Sequence, residues 1–541
     1  MTRRQPLSVL APTLFSFFRH TITSVRLAVV KTLHSFLSVS SLPHDWIGPP
    51  LLRLLFQNLI VEEKLDIRNS TLELWELALR LLRSVDDWME SVVSPDLILE
   101  WFQLAMTPLG VPIDPKLLFY PSMGLDSGGP APERHNVDKN MLAQDLALVS
   151  TETVLRARVA SAKAFACLLA LWPQQGQPLD DLFRPMLEHY ILSPSMMQKF
   201  LGAITVEEWA LKHEEVIAKD EYPDDEALSL SRQSSLAQQL GKHMLVWLQS
   251  DPPVAYHEMA LSLSRIFNEC STLLQSFVHD CKIPQHMIPS LGQSIDITGA
   301  EEGAFTLVTA QNVIGPIFTQ LKDSLGRTKK KEVAALQEKR LRVEASIQHY
   351  SDIKNQHDIR VSAAFAAAYV ALELAPEKVS PIVKGIMNGI KNEENIDLQT
   401  RSATAVAAFI AFCSKNKLSQ PPEKIVKNLC TFLCQDVEQT PTFAFSKTTE
   451  KGVLSFKSAS QWDGTSGRNG SKGQGDTEES TKARLSRRGA ELAFKQLSAK
   501  FGEKLFELIP KIWEFMAGGL QTTFASGKFS YKLYGTFIDF V

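Results

Sequence analysis

The chain has 541 residues, 44% hydrophobic and 22% charged, and a formal net charge of −3. That composition supplies enough apolar material for an extended core and excludes a wholly disordered chain. The charge balance excludes the broad basic footprint needed to coat a nucleic-acid backbone.

Residues 1–106 read as helical repeats, with MTRRQPLSVLAPTLFSFF as the first helix rather than a signal peptide, since no small-residue cleavage site precedes TSVRLAVV. LLRLLFQNLIVEE and LELWELALRLLRSVDDWME place apolar residues at three- and four-residue steps, the period of amphipathic helices. Residues 107–150 are a Pro/Gly-rich loop insertion. Its apolar stretch LLFYPSM, from Leu117 to Met123, has two readings: docking on its own scaffold or on a partner. Residues 151–440 return to helical repeats, interrupted by the acidic KDEYPDDEA from Lys219, a solvated loop. The charged helix near 329–348, KKKEVAALQEKRLRVEAS, is either a short coiled-coil arm or the outer helix of a repeat, and GRTKKK at its start has the composition of a nuclear localisation signal. Residues 441–485 are a disordered Ser/Gly/Lys-rich insertion, 486–516 a helix pair broken near Gly502, and 517–541 an atypical tail of the kind a truncated or misjoined chain leaves. No apolar run is long enough to predict a membrane-spanning helix.

Two stretches reveal the repeat. DIRVSAAFAAAYVALELA begins at Asp358 and DLQTRSATAVAAFIAF at Asp397; both are alanine-rich, which favours helix and presents small side chains to a closely packed second helix. An aspartate in the first turn complements the positive helix end, and the following arginine can reach a carboxylate of a neighbouring unit. Arg26, Arg68, Arg156, Arg360, Arg401 and Arg487 open such helices at spacings that fit one or more units of about 40–47 residues, the helix-pair period of HEAT and armadillo arrays. The expected fold is therefore all-α, a HEAT/armadillo-like α-solenoid (a superhelix of antiparallel helix pairs) with long loop insertions.

Catalytic chemistry finds no foothold. Cys167, Cys270, Cys281, Cys413, Cys430 and Cys434 form no CxxC pair, so no disulfide framework or zinc finger is signalled, and Cys430 and Cys434, one helical turn apart, read as core residues. GTSGRNGSKGQG from Gly464 lacks the GxxxxGK[ST] spacing of a phosphate-binding loop. HEEVIAKD at His213 and HEMAL at His257 begin like zinc-protease helices, but no histidine follows at the fourth place. No GxSxG nucleophile elbow occurs. No catalytic, cofactor-binding or metal-ligating residue is assigned, and a repeated helical array of this kind is expected to be a protein-binding surface.

HTITSVRLAVVKTL at His20, LRARVASAKAFACL at Leu155, PEKVSPIVKGIMNGIKNEEN at Pro376, KIVKNLCTFLCQD at Lys424 and RRGAELAF at Arg487 together carry a resemblance. Across most of residues 7–516 the chain resembles the central HEAT region of the TATA-binding-protein-associated factor family, SWI/SNF-type ATPases that strip TATA-binding protein (TBP) from DNA. The resemblance implies a non-catalytic, nuclear scaffold and binding region. It implies TBP as partner, with promoter DNA reached indirectly through TBP, and neither a membrane nor a small-molecule substrate. The family's ATPase motor, with its ATP and Mg cofactors, is expected outside this chain, as are the first part of the array and its latch over TBP; no cofactor is expected here and no contact residue is transferred. The alternative reading is a HEAT-repeat nuclear transport or assembly adaptor, and a rival of another class is an enzyme whose site is assembled across repeats.

Overall fold

A computed structural model describes residues 6–85, 87–121, 139–145, 148–172, 179–219, 235–250, 255–325, 330–418, 420–433 and 474–515. The acidic run at 220–227, the middle of the loop insertion at 122–138, the stretches 326–329, 434–473 and 517–541, and with them Cys434, lie outside the described residues.

The chain is all-α. In order its helices are α1 (Leu7–Thr13), α2 (Thr23–Ser38), α3 (Pro49–Val61), α4 (Leu65–Arg83), α5 (Trp88–Val92), α6 (Pro95–Ala105), α7 (Lys139–Ala143), α8 (Thr151–Leu171), α9 (Leu179–Leu192) and α10 (Met196–Lys219). They continue as α11 (Ser235–Ser250), α12 (Ala260–His279), α13 (Leu307–Asn312), α14 (Phe318–Asp323), α15 (Lys330–Ala371), α16 (Ser380–Asn392), α17 (Ile396–Lys415), α18 (Gln420–Leu433), α19 (Gln474–Phe501) and α20 (Lys504–Leu508). Among the described residues the β structure amounts to one isolated bridge, Ile295 to Phe305. The residues group into two compact units, Met1–Ala164 with Trp172–Gly202 and Asp251–Asp358, and Phe165–Leu171 with Ala203–Ser250 and Ile359–Val541.

In the first unit α3 is apolar around most of its circumference and buries Leu51, Leu52, Leu54, Leu55, Phe56 and Leu59, as a helix packed on several sides must. Its two prolines stand in the first turn, where a missing N–H costs nothing. α4 packs its Ile67, Leu74, Trp75, Ala78, Leu79 and Leu82 stripe inward, with Asp66 in the first turn and Arg80 and Arg83 in the last, each matching the helix dipole. Trp75 meets Trp101 edge-on with ring centres 5.1 Å apart, Phe56 stacks on Trp101 at 5.3 Å, and Trp75 Nε1 donates to Ala164 O at 3.0 Å. The described part of the loop insertion lies on this scaffold: Phe119 N donates to Gln57 Oε1 at 3.0 Å and Leu118 is buried. The insertion also holds the short α7, whose Leu142 O accepts from Ile113 N at 2.8 Å.

In the second unit α16, α17 and α19 approach closely through small residues. A Cβ on Gly389 would stand 2.3 Å from Ser402 Oγ and 2.9 Å from Ala363 Cβ, and one on Gly489 would stand 2.0 Å from Ile390 O. The alanine-rich helices are thus packed against as the sequence predicts, and the core they enclose runs from Ala366 through Ile386, Val406 and Phe409 to Ala493 and Leu497.

Three expectations are corrected. The charged helix near 329–348 and the helix of Arg360 are one element, α15, so Asp358 lies far from any first turn; its carboxylate instead accepts from Tyr256 OH and Lys354 Nζ, each at 2.8 Å. No glycine or proline interrupts the sequence between Lys330 and Ala371, which is why the helix does not break. α19 begins at Gln474, inside the stretch 441–485 expected to be disordered; past Gly475 no glycine or proline occurs before Gly489. A long ordered loop at 281–306, which periodicity did not announce, joins α12 to α13.

Candidate protein-binding edge

The sequence singled out arginines, and the structure shows what they do. Arg26 on α2 donates from Nε to Glu62 Oε2 at 2.7 Å and from Nη2 to Glu62 Oε1 at 3.0 Å, with both side chains almost wholly buried. Its Nη1 donates to His20 O and Thr21 O. Arg360 on α15 holds Glu393 in the same way, from Nε at 3.3 Å and Nη2 at 3.2 Å. Glu62 and Glu393 each cap the C-terminus of a helix, α3 and α16, in the same extended conformation, φ −79° and ψ 123° against φ −77° and ψ 124°. Each also accepts, through Oε1, the N–H of the residue two places on: Lys64 at 3.0 Å and Asn395 at 2.9 Å. The arginine therefore fixes a helix end and the turn after it together.

The acceptor glutamates escaped the sequence reading, although a signal for them exists. Pro50 and Glu62 are spaced as Pro381 and Glu393, and both glutamates open the same short pattern, Glu-Glu-x-Leu/Ile-Asp. On that alignment Gln399, not Arg401, matches Arg68. Gln399 is buried and donates to Ile390 O at 2.7 Å and Leu485 O at 2.9 Å. Arg401 points elsewhere, to Glu207 and Glu208 of α10. Burial works against its charge and the two glutamates more than offset that, holding the guanidinium protonated above its ordinary range.

Two of the six arginines are displaced by a near neighbour. Arg156 is half-buried and pairs with Glu152 one turn back, whereas Arg158 goes fully inside and donates to Leu104 O at the end of α6; burial pulls it down to about 10. Arg487 pairs with Glu491 along its own helix, while Arg488 donates to Gln399 Oε1 at 2.6 Å and to the carbonyls of Glu393 and Glu394. Arg68 donates to Thr153 O at 3.3 Å at the start of α8, and burial, with Arg156 adding to it, lowers its pKa to about 10 despite Glu62. Arg26 and Arg68 thus join the starts of α2, α4 and α8 along one edge of the first unit.

Two further polar clusters hold a helix start and a loop. Glu258 of the HEMAL stretch accepts the N–H groups of Met196 and Met197 at 3.0 and 3.2 Å and the Ser195 hydroxyl, capping the start of α10. In the loop at 281–306, Asp296 accepts from Thr298 Oγ1 and from the N–H groups of Thr298, Ala300 and Glu301, which hold its carboxyl down to about 2. Among the described residues no three His, Cys, Asp or Glu side chains are placed to hold a metal ion, and no helix is long and apolar enough to cross a membrane. Cys167, Cys270, Cys281, Cys413 and Cys430 are buried.

Residues 74–515 match the family described as Domain of unknown function (DUF3535). The chain belongs to that family. The DUF3535 region contains the Arg360–Glu393 pair, while Arg26 and Glu62 precede it. The whole chain is similar to larger curated proteins: 31% identical over 561 residues to the TATA-binding protein-associated factor mot1 of Aspergillus fumigatus, covering 96% of this chain and 28% of that protein. It is 25% identical over 549 residues to the TATA-binding protein-associated factor MOT1 of Saccharomyces cerevisiae, covering 95% and 28%. To the TATA-binding protein-associated factor 172 of Homo sapiens it is 26% identical over 595 residues, covering 98% and 30%. The resemblance carried by the motifs from His20 to Arg487 therefore extends over nearly all of this DUF3535 chain, which spans less than a third of the length of these relatives.

Proposed function

We propose that the chain is the non-catalytic HEAT-repeat scaffold and protein-binding region of a TBP-associated transcription regulator whose full-length form uses ATP hydrolysis to dissociate TBP from promoter DNA. The observation that carries this reading is the similarity, along almost the whole chain, to proteins named as TATA-binding protein-associated factors in fungi and human. The construction supports it. Packed helix pairs whose ends are fixed by buried ion pairs offer rows of rigid turns, the usual contact surface of a repeat protein. On this reading the chain works in the nucleus, it meets promoter DNA through TBP, and ATP with magnesium belongs to a motor elsewhere in the full-length protein. A net charge of −3 suits a partner that is itself basic better than it suits DNA.

The test is capture of purified TBP by the purified chain, with and without TATA DNA, beside a nuclear-import GTPase as control. Capture of TBP and not of the GTPase is expected. Capture of the GTPase alone replaces the reading with that of a transport adaptor, and capture of neither removes the TBP-binding role from these residues.

A further inference from the structure

The loop at 281–306, between α12 and α13, is held at its base and again at its tip. At the base Phe305 is fully buried and meets Phe267 of α12 edge-on with ring centres 5.1 Å apart, while Phe305 N donates to Ser294 O at 2.8 Å and Asp296 N to Phe305 O at 3.0 Å. The two legs nearly touch at Gly292, whose φ is 90° and on which a Cβ would stand 2.3 Å from Gly303 O. At the tip the Asp296 carboxylate gathers the Thr298 hydroxyl at 2.6 Å and the N–H groups of Thr298, Ala300 and Glu301 at 2.7, 2.7 and 2.8 Å. Residues 298–303 are all exposed, so these bonds hold the tip with little packing to help them. The Thr298 hydroxyl is also the largest cause of the low titration of Asp296.

Thr298 also stands apart in its sequence setting. Among the described residues Ser70, Ser84, Thr205 and Thr298 have a carboxylate three places on. Ser70 and Thr205 lie inside α4 and α10, and Ser84 closes α4 directly after Arg83. Thr298 instead lies on an exposed loop tip with acid on both sides: Asp296 two places before it, and the exposed Glu301 and Glu302 three and four places after. Carboxylates in that order suit a protein kinase whose substrate groove is lined with basic side chains.

We propose that Thr298 is a phosphorylation site for an acid-directed protein kinase, and that its phosphate releases the loop tip. The γ-phosphoryl group of ATP bound to the kinase passes to Thr298 Oγ1; the new P–O bond replaces the one to the departing ADP, and the hydroxyl proton leaves to the kinase's base. Thr298 Oγ1 then has no hydrogen to donate to Asp296, and a group of about two negative charges stands beside the carboxylate it used to support. Repulsion between such neighbours, even in water, disfavours the closed tip by on the order of tenfold. The base of the loop, anchored by Phe305, is left in place.

The experiment treats the purified full chain with magnesium ATP and either casein kinase 2, which is acid-directed, or cyclic-AMP-dependent kinase, which selects arginine. Mass spectrometry maps the phosphates, and hydrogen exchange follows the amides of residues 298–301 against those of α12. Phosphate on Thr298 is expected from the first enzyme and not from the second, with exchange at the tip rising about tenfold and α12 unchanged. Thr298→Val, which lacks both hydroxyl and phosphate, should loosen the tip less than the phosphate does. Kinase treatment of that variant should not change the tip further, which separates Thr298 from phosphates elsewhere in the chain. If Thr298 of the full chain stays unmodified, even where a synthetic peptide of residues 290–304 is modified, the site is overturned. If Thr298 is modified and exchange at the tip stays within about twofold, the release is overturned.

Discussion

Replacing Arg26 by methionine should strand Glu62 inside the first unit. The pair makes two charge-assisted hydrogen bonds, each with a net contribution of about 1.5–3 kcal/mol. Removing one partner of a buried pair generally costs more, about 3–5 kcal/mol, because the surviving charge is left without compensation. With Arg26 at 6% and Glu62 at 3% side-chain exposure, that upper range applies. Arg360 is 14% exposed and its bonds to Glu393 are 3.2–3.3 Å long, so Arg360→Met should cost less, about 2–3 kcal/mol. Combining Arg26→Met with Glu62→Gln removes the stranded charge, and the double variant should recover about 1–3 kcal/mol relative to the sum of the single ones. Urea unfolding monitored by hydrogen exchange in α2 and α4 reads this in the unit where it acts. Strict additivity of the two substitutions, or an Arg26→Met cost below about 1 kcal/mol, would refute the clasp as the fixing element of the turn.

Gly389→Ala should destabilise by about 2 kcal/mol or more even though alanine favours helix by about 1 kcal/mol, because the new methyl meets Ser402 Oγ and Ala363 Cβ; pairing it with Ser402→Ala should restore part of the loss in thermal unfolding. Lys199, buried and donating to Ile191 O at 2.9 Å, is pulled down to about 8 from 10.5. The unfolded chain then binds more protons between those values, so the burden this lysine imposes is complete below about pH 8 and fades as pH rises toward 10.5. Wild-type stability measured against Lys199→Met should accordingly rise by roughly 1–2 kcal/mol across that window, and a flat difference would remove the lysine as the cause.

How much of this was legible in the sequence depends on whether the determinant is local. Helix formation and the close packing of the alanine-rich stretches follow from composition and period, and Gly389 and Gly489 show the small-residue contact that DLQTRSATAVAAF implied. The arginines were visible too, because a charged residue beside an apolar stripe stands out. Their partners were not. Glu393 lies 33 residues from Arg360 and Glu207 lies 194 residues from Arg401, separations that no helical period links. In the line RAR the choice of Arg158 over Arg156 depends on which side of α8 faces α6, and RRG poses the same problem for Arg487 and Arg488. The joining of the charged segment to the helix of Arg360 was missed because Asp358 imitates a helix start, while its actual partners, Tyr256 and Lys354, lie on another element and one turn back.

Arg401 offers the sharpest separation between a pair that merely decorates the second unit and one that holds it. It brings α17 against α10 through two consecutive glutamates, Glu207 at 7% and Glu208 at 22% side-chain exposure. With methionine at 401 both carboxylates lose the guanidinium that bridges them, which costs about 3–5 kcal/mol at neutral pH. Lysine at 401 keeps a charge but not the planar fork that reaches both, so its cost should fall in between. The pH dependence decides the cause. Carboxylates that lose a buried cation favour protonation in the folded state, so the penalty eases as pH falls. The deficit of Arg401→Met relative to wild type should therefore shrink from neutral to acidic pH, whereas a deficit caused by lost packing would not change. Urea midpoints for wild type and variant at the two pH values make that comparison, and an unchanged deficit would assign the contact between α10 and α17 to apolar packing instead of to the ion pair.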